Sequence, residues 1–313
     1  MATRTRIMRK RFSPRALAAK LLPLTLGVLA SQLYSRKCSD VRVKTARTRD
    51  AYPSVACWIL RANTPRDLAR GDAIRRGWGK TCAHLEFIDR KTPGIRVDWA
   101  ETDDAVSAKR WRAWTFTYEK YANASFANAT RVDFVLKADT DTYVHGAHLL
   151  RYLNRFDATL PHYIGRQFVE RGVAFVAGAT IVLSREALRL VTVASRDGVG
   201  ACARGKFTAT SAEDVALALC LRDVGVYPHN SRDASGAERF MVFSPQRMRA
   251  GSEGLPRWYV KRSLNTQQGP GCCSDEAISF HYVSTDELAR ARLVRARGAW
   301  SWTPAAASEP PPP

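Results

Sequence analysis

The sequence predicts an α/β fold with a mostly parallel central sheet flanked by helices. Short apolar runs alternate with segments of helical period from residue 53 to about 225, the order that builds strand–helix–strand units. The runs SVACWIL at 54–60 and VDFVLKA at 132–138 are largely apolar, as strands buried on both faces are. The second run leads straight into Asp139-Thr140-Asp141. In open α/β sheets ligands bind beyond the carboxyl ends of strands, so this acidic cluster is where a site should lie.

The elements follow in order. Asn63-Thr64-Pro65 makes a turn and helix start before DLARGDAIRRGW at 67–78, which has helical spacing. HLEFID at 84–89 is a second strand. AVSAKRWRAWTFTYEKYA at 105–122 is a longer amphipathic helix, with Trp111, Trp114, Tyr118 and Tyr121 near one face as core. Beyond the acidic cluster HLLRYLNRF is helical and HYIGRQF a strand. AFVAGATIVLSREALRLV at 174–191 is a strand turning into a helix, and SAEDVALALCLRDVG is another helix. From residue 291 the chain reads as a tail, and PAAASEPPPP at its end has a disordered composition.

The 313 residues, 45% of them apolar, suffice for a sizeable core, which excludes wholesale disorder. A formal charge of +20 first suggests a polyanionic partner such as nucleic acid. Much of that excess sits in the first fifty residues, from Arg4 to Arg15 and from Arg36 to Arg49, around an apolar stretch. This is a topology signal rather than a nucleic-acid surface, which would interleave cations with stacking aromatics. Residues 1–15 are therefore read as a basic cytosolic tail, 16–34 as a signal anchor and 35–52 as a polar stem, with the rest of the chain lumenal. Lys20 and Pro23 interrupt the apolar stretch, so a cleaved signal peptide is the alternative, in the same compartment.

Seven cysteines, none in C-x-x-C spacing, fit an oxidising compartment. The six at 57, 82, 202, 220, 272 and 273 allow fifteen pairings, and Cys38 in the stem is left over for a link between subunits. Two glycosylation sequons, at Asn123 and Asn128, suggest a lumenal surface loop.

Chemistry concentrates in three places. Asp139 and Asp141 at a strand end can converge on a divalent cation and a bound diphosphate. His281, in the apolar run AISFHYV, is a core histidine if taken alone. Beside carboxylate and phosphate oxygens it completes a six-coordinate site that suits manganese, with magnesium or cobalt as substitutes. Glu213 and Asp214 open a helix, where they serve either as favourable N-terminal acids or as a general base.

Together these segments resemble glycosyltransferase family 31, and within it the core 1 β1,3-galactosyltransferase branch. The matches run in family order from about residue 53 to 285: CWIL, AIRRGWGKTC, FVLKADTDTYV, YIGRQF, AGATIVLSREAL, SAEDVALALC, NSRDASGAERF and GPGCCSDEAISFHYV. The resemblance implies a GT-A fold, a Rossmann-like sheet in a single catalytic domain over 53–290, set behind a Golgi membrane anchor in a type II orientation. It implies an inverting, metal-dependent transfer of galactose from UDP-galactose to O-linked N-acetylgalactosamine on glycoproteins. Asp139, Asp141 and His281 match the metal site, with Asp141 ahead of Asp139 as a direct ligand. Asp214 matches the base, with Glu213 as fallback. Arg75, Lys109 and Lys137, with Asp139 and Gly178, match positions near the donor, and Trp258 and Tyr259 match aromatic residues that line the sugar site.

The chain departs from the family pattern in three places, one of them the segment before Lys109, which bears on the nucleotide contacts. The D-D-D motif becomes Asp139-Thr140-Asp141, which keeps the outer pair, and the glycine-rich G-G-A-G-Y becomes Ala177-Gly178-Ala179-Thr180-Ile181. Alternatives are another family 31 β1,3-glycosyltransferase with a different donor or acceptor, or a non-catalytic chaperone-like relative. Retention of Asp139, Asp141, His281 and Asp214 argues against the second.

Overall fold

The computed structural model describes residues 52–93, 95, 103–123, 132–203, 212–264, 267–296 and 299–304. The chain divides into two units, residues 1–45 and 46–313. The first unit, with the expected anchor and Cys38, lies outside the described residues, as do the stem up to residue 51, the Asn128 sequon and the Pro-rich end. No helix among the described residues is long and apolar enough to cross a membrane.

The apolar run at 54–60 forms β1 (Val55–Leu60), buried along almost its whole length. Thr64 caps the next helix by accepting the Asp67 amide at 3.1 Å, and Pro65 supplies a pre-set φ in the first turn of α1 (Pro65–Arg76). β2 (His84–Ile88) pairs with β1 in parallel. α2 (Asp103–Thr117) ends in a π-turn at Tyr118–Ala122, and its Trp114 meets Trp58 of β1 edge to face at 5.0 Å. The aromatic face is therefore core, as its spacing suggested. β3 (Phe134–Ala138) is fully buried and pairs in parallel with the other side of β1. A short β4 (Tyr143–Val144) and α3 (Gly146–Leu153) follow.

β5 (Tyr163–Glu170) and β6 (Val173–Ser184) are a hairpin, reversed at Arg171 and Gly172, both with positive φ. The sheet order is β2-β1-β3-β6-β5. Since β6 is antiparallel to both β3 and β5, four strands run one way and β6 opposes them. The expectation of a mostly parallel sheet thus holds with one exception, and its cause is local: a two-residue connection can only reverse the chain. α4 (Arg185–Arg196), capped by Ser184, and α5 (Glu213–Asp223) pack with α2 as one helical layer on the sheet. The short helices α6 (Pro245–Arg249) and α7 (Arg257–Arg262) precede β7 (Ser279–Phe280), which pairs with β4, and α8 (Thr285–Arg290) packs on α1.

Residues 291–304, read as tail from the sequence, form a hairpin of β8 (Ala291–Ala296) and β9 (Ala299–Pro304). Its tryptophans hold the β4–β7 ribbon. Trp300 is buried, donates its indole N–H to the Ser274 carbonyl at 2.9 Å and packs on Phe280, while Trp302 meets Tyr143 edge to face at 5.1 Å. Trp300→Ala should lower stability by about 3 kcal/mol, since it opens a cavity and orphans a carbonyl. A urea unfolding curve whose midpoint matches that of the parent chain would contradict this.

The six described cysteines pair as Cys57–Cys82, Cys202–Cys220 and Cys272–Cys273. The first bond ties β1 to the start of β2, and the second ties α5 to the turn after α4. The third joins neighbours in the loop before β7.

Candidate active site

The site is built where β3 ends. Lys137 is the last but one residue of β3 and is 1% exposed. Its ammonium donates to Asp139 Oδ1 at 2.7 Å, to Glu213 Oε1 at 3.2 Å and to the Gly178 carbonyl. An ammonium has three protons, so Lys137 is fully engaged by partners from three elements. A buried charge survives only with such pairing. Asp139 and Asp141 leave the strand on the next turn, and Thr140 between them donates to Asp67 of α1 at 3.0 Å, pinning the turn to that helix.

β7 brings His281 to the same place. Tyr143 lies opposite Phe280 in the β4–β7 ribbon, so the residues just before β4 and just after β7 emerge at one end. His281 Nε2 sits 2.9 Å from Asp141 Oδ1 and 3.5 Å from Asp139 Oδ2. Burial would raise the pKa of Asp139, but Lys137, Arg110 and His281 outweigh it and hold the group below the ordinary carboxylate range. At Asp141 burial is likewise outweighed by the hydrogen bond and charge of His281 and by Arg70, so this pKa is lowered too.

Asp214 lies on the other side of Gly178. Its Oδ2 accepts the Gly178 amide at 3.1 Å and its Oδ1 the Val215 amide at 2.9 Å. Burial raises its pKa against the pull of those amides. Burial raises that of Glu213 as well, despite Lys137 and Arg110. Gly178 keeps the two elements this close, because a Cβ there would lie 3.0 Å from Glu213 Oε1 and 3.6 Å from Asp214 Oδ2. The residues Ala177 to Thr180 bulge out of the β5–β6 ladder, where pairing jumps from Gly165–Ile181 to Gln167–Val176. Gly178→Ala should leave the fold intact and slow turnover by roughly tenfold, through displaced carboxylates and a crowded approach. Unchanged kcat in a folded variant would refute that role.

An open cleft of about 680 Å³ lies over the carboxyl ends of β1 and β3, lined by Arg61, Thr64, Lys109, Arg110, Asp139 and Thr140 among others. Behind Arg110 is a pocket of only about 20 Å³ walled by Lys137 and Glu213. Arg110 is the partition: it pairs with Glu213 and reaches Asp139 at 3.8 Å.

Among the described residues no group of three or more His, Cys, Asp and Glu side chains forms a ready-made metal cage. Asp139, Asp141 and His281 instead offer a one-sided set of donors. Cis ligands of an octahedral ion with bonds of ~2.1 Å stand ~3 Å apart, close to the two separations at His281 Nε2. The Nδ1 atom is buried without a partner, so the polar end of the ring is the one facing the carboxylates. With a cation between them the ring would offer its Nε2 lone pair, and without one the Nε2–H donates to Asp141. The residues present therefore fit a divalent ion bound from the open side.

The structure brings Asp139, Asp141, His281, Lys137, Gly178, Glu213 and Asp214 into one cluster, with Lys109 buried in the wall of the cleft. Arg75 is not among them. It is exposed and stacks over Phe87 at 5.0 Å, while Arg70, five residues earlier on the same helix, lies 3.8 Å from Asp141 Oδ2. Tyr259 is fully buried among Phe168, Phe243 and Arg166 and does not itself line an open surface. Trp258 is 40% exposed and connects through Phe243 and Tyr282 to His281. Arg110, Arg70 and Asp67 went unnoticed in the sequence. Arg110 had a signal, its place beside Lys109, whereas Arg70 and Asp67 carried none beyond lying on one helix.

A strand-end carboxylate pair, an imidazole and a second pair of carboxylates across a glycine are thus gathered around the end of β3. In sequence the chain is similar to the core 1 branch of the β1,3-galactosyltransferases, and its fold is α/β with a mostly parallel central sheet. It is 33% identical over 244 residues to glycoprotein-N-acetylgalactosamine 3-beta-galactosyltransferase 1 of Xenopus laevis, covering 75% of this chain and 64% of that protein. The chain thus spans less than two thirds of the length of that relative. A solved structure of the galactosyltransferase LgtC, in complex with donor and acceptor sugar analogues, is similar over 72% of this chain and 86% of its own, at 14% identity and a TM-score of 0.37. No protein-family profile matches the chain.

Proposed function

We propose that the chain is an inverting, divalent-metal-dependent transferase that moves galactose from UDP-galactose in β1,3 linkage onto O-linked N-acetylgalactosamine of glycoproteins. The observation that carries this reading is the meeting of Asp139, Asp141 and His281 at one point, with Asp214 across Gly178. The name of the Xenopus relative supports the sugar, the linkage and the acceptor.

Asp139, Asp141 and His281 would hold the ion, with manganese the best match to two carboxylates and an imidazole. When bound, the ion supplies positive charge against a departing nucleoside diphosphate. Lys109 and Arg110 line the cleft where that diphosphate would lie. Asp214 takes the proton of the acceptor hydroxyl as its oxygen attacks the sugar carbon. The burial that raises its pKa makes it a stronger base once ionised, and the two amide hydrogen bonds hold its orientation. Glu213 serves as counter-ion to Lys137 and Arg110. The expected setting is the Golgi lumen, with residues 16–34 as the anchor.

The full-length chain, supplied with manganese, an N-acetylgalactosaminyl peptide and a panel of UDP-sugars, should consume UDP-galactose in preference to the others. A chelator should stop the reaction and added manganese restore it. Turnover that survives the chelator would sink the metal-dependent reading, and preference for another sugar would reassign the donor.

A further inference from the structure

A second cavity, of about 350 Å³, is lined by His148, Arg151, Tyr152, Arg155, Arg239 and Glu276 among others. Arg151 and Arg155 stand one turn apart, on α3 and just beyond it. Neither has a carboxylate within salt-bridge distance among the described residues, and both side chains are exposed. Arg239 is only 6% exposed. Its Nη1 donates to the Ser231 carbonyl at 3.2 Å and its Nη2 to Glu276 Oε2 at 2.9 Å, while its Nε is buried without a hydrogen-bond partner. The guanidinium groups of Arg239 and Arg155 both lie over the Tyr152 ring, at 5.2 and 5.8 Å. Three guanidinium groups thus face one carboxylate, and Glu276 is itself largely exposed, at 56%.

An excess of positive charge in a concave site attracts anions, and guanidinium groups pair with carboxylates through charge-assisted hydrogen bonds. A shallower groove of about 600 Å³ shares Arg239 and Glu276 and continues past Asp233, Ser235, Gln267 and Asp275, so the positive excess is confined to the arginine end. Such a groove can seat a stretch of extended peptide, which a free inorganic anion would not use. Glu276 also precedes His281 by five residues, so at ~3.3 Å per residue the two sites are at most ~17 Å apart along the chain.

We propose that this pocket is an anion subsite for an Asp or Glu side chain of the glycoprotein acceptor, close in sequence to the glycosylated residue. The assignment of the anion to an acceptor rests on the function proposed above. Glu276 tempers the site: it neutralises one cation and leaves two for the incoming carboxylate.

The test is binding of a fluorescent N-acetylgalactosaminyl peptide to the full-length chain, read by anisotropy with no donor present. Two peptides are compared, one with a glutamate within about five positions of the sugar and one with alanine there, and inorganic phosphate serves as competitor. The acidic peptide should bind on the order of tenfold more tightly, an advantage that shrinks with added salt. Arg151→Ala combined with Arg155→Ala should erase the difference while affinity for the neutral peptide stays, which also shows that the variant is folded. Glu276→Gln should widen it. Equal affinity for the two peptides, or a difference that survives the double variant, overturns the proposal. Competition by phosphate without any advantage for the acidic peptide makes the pocket a free-anion site and removes the acceptor assignment. If no donor sugar is transferred, yet the acidic peptide still depends on Arg151 and Arg155, the transferase reading fails and the anion subsite stands.

Discussion

Asp141→Asn is expected to bring sugar transfer to background at any manganese concentration that saturates the parent chain. The reason lies in what the carboxylate does. Its Oδ1 is 2.9 Å from His281 Nε2, and its lowered pKa keeps it ionised well below neutral pH. Asparagine keeps the shape but offers one neutral oxygen, which a hard cation binds far less well than a carboxylate. Changing even an outer-shell partner of a metal ligand typically costs ~10- to 100-fold in affinity, so loss of a direct ligand should weaken manganese binding by more than ~100-fold. Binding can be followed by the electron paramagnetic resonance signal of free manganese, independently of turnover. Asp139→Asn should differ. Asp139 also balances Lys137 and Arg110, and its replacement leaves a buried ammonium with one carboxylate fewer, so this variant should lose thermal stability as well as metal. A manganese-stimulated Asp141→Asn variant would show that the imidazole and the aspartates meet for structural reasons only.

Much of this was legible in the sequence because it depends on local chemistry. The apolar runs of β1 and β3, the cap at Thr64 and the acidic turn after β3 are each encoded within a few residues. The aromatic stripe of α2 was legible through its period, and Trp114 does reach Trp58. What was not legible depends on pairing at a distance. The reversal at Arg171-Gly172 turns one strand of the sheet around, but a strand's period of two is the same in either direction. The C-terminal hairpin was hidden by its arginines and by the Pro-rich segment after it. Its one clue was the spacing of Trp300 and Trp302, two residues apart and so on one face of a strand. Tyr259 resembled a sugar-lining residue by position, yet the turn of α7 that exposes Trp258 sends the adjacent side chain inward. Arg75 and Arg70 lie five residues apart on α1, and only its packing decides which of them approaches Asp141. The family resemblance supplied His281 as a partner of the aspartates. The β4–β7 ribbon, two residues on each side, accounts physically for their meeting, and strands that short leave no periodic signal.

Asp214→Asn should lower kcat by about 10²- to 10⁴-fold, the usual contribution of a general base, with manganese binding and thermal stability close to those of the parent. Position alone does not separate Asp214 from Glu213, since both are within reach of Gly178. Their partners do separate them. Burial raises the pKa of Glu213 too, but its oxygens are tied up in ion pairs with Lys137 and Arg110, which leaves them turned away from an incoming hydroxyl. Asp214 accepts only two backbone amides, and burial raises its pKa above the ordinary aspartate value. A base must be ionised to act, so activity should rise with pH through that raised pKa, placing the acid limb of kcat/KM above the range of an exposed aspartate. In Asp214→Asn this limb should vanish from the residual activity. Glu213→Gln should show the opposite pattern: the acid limb persists, and the main loss is stability, because Lys137, at 1% exposure, keeps one anionic partner instead of two. If Glu213→Gln removes the limb and Asp214→Asn preserves it, the two carboxylates exchange roles, and the partition formed by Arg110 becomes the gate through which the base is reached.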